Sequence, residues 1–325
     1  MILFCLWYRL ILGSVLMPTL PRIVSFLPSA TEMACALGLN DQLVGITHEC
    51  DYPPSVKEKP VVVSSAVSMA TMTQAEIDSI VSERMRNGQS LYQVDEKLLQ
   101  ELAPDLILTQ DLCQVCAPSG NEVTQALTAL PSKPEILWLT PKSLAQIEEN
   151  LREIGAATGR LGKAEELIAH GRAILDHIAE RARAASTRPR VFCMEWLDPV
   201  YCSGHWVPEM VSIAGGVDHL GHEGSDSVRI AWEDVLAWKP EVLVIMPCGY
   251  RLDQVLELTP KLGARSGWRE LPAVQQGRVY AVDASSYFAR PGPRVVEGTE
   301  LLAHLIHPDM FPWTGASDAY SRIDL

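Results

Sequence analysis

The apolar positions of this chain fall into two matching sets. In the first, Pro21-Arg22 leads into Ile23, Val24 and Phe26, followed by Thr31, Glu32, Met33 and Gly38. In the second, Pro189-Arg190 leads into Val191 and Phe192, followed by Pro208, Glu209, Met210 and Gly215-Gly216. Each set reads as a strand, a turn and a helix closed by a glycine suited to a left-handed cap. A second matching pair follows, residues 98–108 (LLQELAPDLIL) and 232–245 (WEDVLAWKPEVLVI). In both, a short amphipathic helix stops at a proline and a continuous apolar run begins. Such a run fits a strand buried on both faces of a parallel sheet. Third strands are expected over residues 135–139 and 278–282. The fold class is therefore α/β, with two small α/β lobes of mostly parallel sheet at residues 21–140 and 187–325.

Between the lobes, residues 143–185 keep a helical apolar period through Leu144, Ile147, Leu151, Ile154, Leu161, Ala164, Leu167, Ile168, Leu175 and Ile178. Ser143 suits an N-cap. The linker, residues 141–186, is expected to be one long α-helix, with Gly155, Gly159 and Gly162 as points where it would kink. At about 1.5 Å per residue it would cross the whole molecule, leaving a ligand cleft between the lobes. Residues 65–93 have no counterpart in the second half. They read as an insertion carrying a helix over 75–86 and an Asn87-Gly88 turn, either a lid on the cleft or a surface elaboration.

Composition narrows the partners. The chain has 325 residues, 47% hydrophobic and 21% charged, which is globular rather than disordered. Its net charge of −13, without a basic block, argues against nucleic acid or an anionic membrane as the main partner. Residues 1–20 are apolar but split by Arg9 and lack a basic start. They read as a weak export signal, an interfacial anchor, or an upstream-start extension with Met17 as the first residue; the last is preferred. With no convincing signal peptide, and with eight cysteines in a chain too long to need staples, the cytoplasm is the expected compartment and the periplasm the alternative.

Taken together, residues 23–32 (IVSFLPSATE), Cys50-Asp51-Tyr52-Pro53-Pro54, residues 102–108 (LAPDLIL), Gly215-Gly216, residues 232–236 (WEDVL) and Arg290-Pro291-Gly292-Pro293-Arg294 carry a resemblance. In order and spacing they resemble the cobalamin- and iron-chelate-binding proteins of ABC importers, the helix-linked class of periplasmic-binding proteins, over residues 21–307. The cobalamin-binding branch is the most similar. The resemblance implies a monomer that binds a corrinoid-like ligand and serves an ABC permease, its only link to a membrane unless the leader anchors it. Family cleft positions map to Glu49, to residues 196–201 and to residues 286–290. Where the family's cobalamin binder has an aromatic, this chain has Glu49; where it has an acid, this chain has Ser286. The permease-docking acids of the family map to Glu233 in the second lobe and Glu96 in the first.

The residues themselves suggest how such a ligand would be held. Trp196, Tyr201, Trp206 and Tyr287 would give a flat macrocycle broad apolar walls with polar tips, and Arg290 on a proline-stiffened loop would bind an anionic or amide group. Core packing is the rival reading for the aromatics, and a structural ion pair with Asp283 the rival for an arginine of that loop. His48 and Cys50 follow the strand over 43–47, while Cys113 and Cys116 follow the strand over 106–109. If those strands are neighbours, the four would suit zinc or another soft metal, or the metal of a bound cofactor. The Cys113/Cys116 pair alone would equally be a redox pair, a disulfide or two inert thiols. No Walker loop, GxGxxG or GxSxG arrangement is present, so no catalysis is expected. The runner-up function is a cytoplasmic chaperone or sensor for a metal or iron chelate, using this Cys/His group.

Overall fold

The computed structural model describes residues 20–69, 71–110, 130 and 133–324. The first lobe is a sheet in the order β4-β3-β2-β1-β5-β6. Its strands are β1 Ile23–Ser25, β2 Leu43–Thr47, β3 Val61–Ser65, β4 Tyr92–Val94, β5 Leu106–Thr109 and β6 Glu135–Trp138. All pair in parallel except the edge strand β4. The main sheet of the second lobe runs β14-β13-β12-β7, from β7 Val191–Met194, β12 Val242–Ile245, β13 Val279–Val282 and the antiparallel edge β14 Tyr320–Arg322. Between β7 and β12 lie the short strands β8 Trp196–Leu197, β9 Val200–Tyr201, β10 Gly204–His205 and β11 His222–Glu223. The central strands are buried at every position in β1, β5, β7 and β12, as continuous apolar runs dictate.

The expected repeat is visible in the backbone. Both short helices, Glu96–Leu102 and Trp232–Trp238, end on a non-glycine residue with positive φ, Ala103 at 40° and Lys239 at 53°, directly before Pro104 and Pro240. A residue before proline is pushed out of the right-handed helix, so each helix stops there and the chain turns into the next strand. Gly215 is required by more than its φ of 86°. A β-carbon there would lie 2.9 Å from Ala182 Cβ and from His307 Nε2.

The linker differs from expectation. Residues 143–185 do not form one rod: a helix at Leu144–Ala157 ends at Thr158, and a second begins at Leu161 and runs to Arg183. Gly159 takes φ 67°, and the two helices fold back on each other, with Arg152 bonded to Glu165 and Arg172 to Glu148. At Gly155 a β-carbon would lie 3.0 Å from Ala164 Cβ, so small residues bring the helices together. The apolar period was right, but it described two faces meeting each other. The 23-residue helix Leu161–Arg183, roughly 34 Å long, is what runs between the lobes. A single core joins Ile23 and Leu106 of the first lobe, Ile147 and Ile168 of the linker, and Val191, Val242 and Leu301 of the second. The lobes are thus packed through the linker, not merely tethered by it.

Candidate functional site

Open parallel sheets bind ligands at the carboxyl ends of their strands. In the first lobe those ends lead into Phe26 and Leu27 after β1, residues 48–52 after β2, and Gln110 after β5. In the second they lead into residues 195–201 after β7, 246–250 after β12 and 283–290 after β13.

Among the described residues, two sets of polar contacts cross from lobe to lobe. The first is a buried ion cluster. Arg294 grips Glu32 with two bonds, Nε to Oε2 at 2.8 Å and Nη2 to Oε1 at 2.6 Å. Arg290 donates to Glu32 Oε1 at 3.1 Å, to Asp51 Oδ1 at 2.5 Å and to the Glu49 carbonyl at 2.9 Å. The Glu32 side chain is 2% exposed and each arginine 11%. Arg294 also lies over the Tyr52 ring, 4.3 Å from its centroid, a favourable cation–aromatic geometry. The forked, planar guanidinium matches a carboxylate bidentately, and Pro291 and Pro293 stiffen the loop that presents both arginines.

The second contact is made by the insertion. Its helix, Gln74–Arg86, starts with a reciprocal cap between Thr73 and Glu76, which holds the Glu76 carboxyl below its ordinary pKa through hydrogen bonds from Thr73. Gln74 accepts the Leu197 N–H at 2.9 Å on its side chain and the Trp196 indole N–H at 3.3 Å on its carbonyl. Asp78 accepts from Arg229 at 2.8 and 2.9 Å and from the Tyr201 hydroxyl at 3.1 Å. The Tyr201 oxygen in turn accepts from Arg229 Nε at 2.9 Å.

The expected site residues separate into groups. Trp196 and Tyr201 do stand at the cleft side of the second lobe, half-buried, with Tyr250 edge-on to Trp196 at 5.6 Å between centroids. Glu49 is exposed, in the loop after β2 of the first lobe. Trp206 and Tyr287 are not cleft walls. Trp206 is 5% exposed and donates to the Phe288 carbonyl at 3.0 Å, and Tyr287 is 7% exposed and packs edge-on to Phe288 and Trp313. Their apolar rings were drawn into the core instead. Arg290 is committed to first-lobe acids rather than open to a ligand. The anticipated partner of that loop, Asp283, accepts instead from Ser286, at 2.9 Å from its N–H and 2.7 Å from its hydroxyl.

For the Cys/His group, β1 lies between β2 and β5, so these two strands are not adjacent as expected but stand two strand spacings, roughly 10 Å, apart. Cys50 turns inward to Thr31 Oγ1 at 3.1 Å and packs with Ile46 and Val56, and burial pushes its thiol pKa up, away from the thiolate a metal needs. His48 is exposed, its Nδ1 3.3 Å from the Val63 carbonyl. Cys113 and Cys116 lie outside the described residues. Among the described residues no three His, Cys, Asp or Glu side chains converge as a metal site. Glu233 is exposed and Glu96 half-buried, each in the first turn of its helix.

A pair of half-buried acids whose carboxyls are withdrawn from solvent was not anticipated. Glu195, directly after β7, is pushed by burial from 4.5 up to about 7, against bonds from the Gly204 N–H and Ser227 and with the Asp218 charge adding to the rise. Asp218 is likewise pushed by burial from 3.8 up to about 6, although Ser203 and the Leu220 and Gly221 N–H groups bond it. Neither sits in a pattern that distinguishes it from a solvated loop acid.

Known proteins share this architecture. An uncharacterized ABC transporter substrate-binding lipoprotein of Bacillus subtilis is 29% identical over 301 residues, 89% of this chain and 81% of the relative. A vitamin B12-binding protein of Vibrio cholerae is 27% identical over 288 residues, 86% of each chain. The crystal structure of a periplasmic heme-binding protein from Pseudomonas aeruginosa superposes with a TM-score of 0.69 at 21% identity, covering 93% of this chain and 98% of that one, and so shares the fold. The lipoprotein relative and the match to a periplasmic binding protein family overturn the cytoplasmic placement and point outside the cytoplasm. A model of the periplasmic binding protein family, Peripla_BP_2, matches residues 23–285, and this chain belongs to that family.

Proposed function

We propose that this member of the ABC substrate-binding family acts as a monomer that holds a corrinoid or closely related macrocyclic chelate between its lobes and hands it to a permease without chemical change. The observation that carries the reading is the aromatic edge formed by Trp196 and Tyr250, at the carboxyl end of the second sheet and facing the insertion helix. A flat, largely apolar macrocycle needs such rigid surfaces, with a few polar groups to orient it. The relative named as a vitamin B12-binding protein supports the corrinoid choice. The test is equilibrium titration with cyanocobalamin and, separately, hemin, read by their visible bands. Saturation at one cyanocobalamin per chain is expected; saturation by hemin alone would move the ligand class to iron porphyrins, and no change with either would remove the proposal.

Glu233 and Glu96 are proposed as the acids that meet the permease. Surface acids steer and register a partner without touching the cleft. Glu233→Lys is expected to weaken assembly with the permease at least several-fold while leaving ligand affinity unchanged. Equal loss of ligand binding in a cyanocobalamin titration of that variant would contradict the assignment.

A further inference from the structure

We infer that the insertion helix Gln74–Arg86 is a gate across the ligand cleft and that the Asp78–Arg229–Tyr201 contact is its catch; the inference rests on the binding function proposed above. The first ground is where the helix is hung. It leaves the sheet after β3 and returns through the antiparallel edge strand β4, so it is attached at the rim of the first lobe. The second is what it touches. Its polar contacts Gln74–Leu197, Gln74–Trp196, Asp78–Tyr201 and Asp78–Arg229 all reach the second lobe, at or beside the β8–β9 hairpin that follows the carboxyl end of β7. It therefore closes over the side where a parallel sheet receives its ligand.

The third ground is how weakly it is held. Gln74 is its one buried residue, and among the described residues Ile77, Ile80 and Val81 belong to none of the hydrophobic cores. An element with few buried apolar contacts opens at the low end of a protein's stability range. The Arg229 side chain is 52% exposed and Asp78 16%, and an ion pair with one solvated partner is weaker than a fully buried one. The reciprocal Thr73–Glu76 cap lets the helix persist as a unit when it lifts. Gly88, with φ 62° and open space where a β-carbon would sit, gives a turn at its far end.

Beside the seam, Gln74, Ala75, Leu197, Lys261 and Arg265 line a cavity of about 270 Å³. The twin ion cluster at Glu32 is buried and bidentate on its acid and both arginines, so it stays shut while the catch at Asp78, whose Arg229 is half exposed, opens.

Stopped-flow binding of cyanocobalamin, followed by tryptophan fluorescence, tests the gate in the full-length protein. Asp78→Asn and Arg229→Gln are each expected to speed both association and dissociation about two- to fivefold, the range an exposed ion pair supplies. The double variant should go no further, because both residues act through one contact. Wild-type rates in all three variants, with cyanocobalamin still bound, would overturn the gate and leave the binding function standing. Amide exchange in the ligand-free proteins gives a second reading. Residues 74–86 should exchange about two- to fivefold faster in the variants while β1 and β5 are unchanged. Unchanged exchange across the helix would overturn the catch, and if cyanocobalamin does not bind, this measurement alone decides.

Discussion

Replacing Glu32 with alanine is expected to lower the free energy of unfolding by about 3–5 kcal/mol, the usual cost of removing one partner from a buried ion pair. The carboxylate is the acceptor for both arginines. Arg290 would keep Asp51 and the Glu49 carbonyl, but Arg294, 11% exposed and lying over the Tyr52 ring, would lose both of its carboxylate bonds. Denaturant unfolding of the purified variant, compared at constant slope, measures the loss. Because the cluster joins residues of the two lobes, loosening it should also release their relative position. A change below about 1 kcal/mol would mean that the cluster is solvated like a surface pair and does not fix the lobes.

The second large effect is on pH. Glu195 and Asp218 both have folded pKa values raised by burial, to about 7 and about 6. An acid raised on folding binds its proton more tightly in the native state, so the stability it contributes is full below its unfolded pKa. That contribution is lost as pH rises through the folded value. The window for this pair is therefore about pH 4 to 7, with a loss of a few kcal/mol on the order of 1.4 kcal/mol for each tenfold change in proton affinity. The two carboxyls influence each other, so the loss belongs to the pair. Glu195→Gln keeps the shape and can still accept from Gly204 N–H. It should be at least 1–2 kcal/mol more stable than wild type at pH 8, by the same relation, and lose that advantage near pH 4. A difference between the two proteins that does not vary with pH would contradict the assignment of a protonated Glu195.

The sequence carried the fold well because the fold depends on repeated, local signals. The apolar runs at β5 and β12, the prolines 104 and 240 and the strand-turn-helix openings appear where the pattern placed them. The linker was legible as helix but not as two helices, since a period shows which face is buried and says nothing of a reversal at Gly159. The site was harder to read because its parts depend on residues far apart in the chain. Glu32 lay inside the most recognisable segment, yet its partners Arg290 and Arg294 stand 258 and 262 positions away. A charged residue among Ala30, Thr31, Met33 and Ala34, in an otherwise small and apolar helix, was the available signal of a buried pair. The expected adjacency of the strands before the Cys/His loops did not hold: β2 and β5 are separated by β1, and no local pattern reveals which strand sits between two others. Trp206 and Tyr287 failed because an aromatic near a strand end serves a core as readily as a cleft.

A large chelate held between the two lobes should leave its mark on both at once, and amide exchange with and without saturating cyanocobalamin reads it. Slowed exchange is expected in residues 48–52 of the first lobe, in 195–201 of the second and along the helix at 74–86. Protection confined to one lobe, or none at a concentration that saturates the visible band, would contradict it.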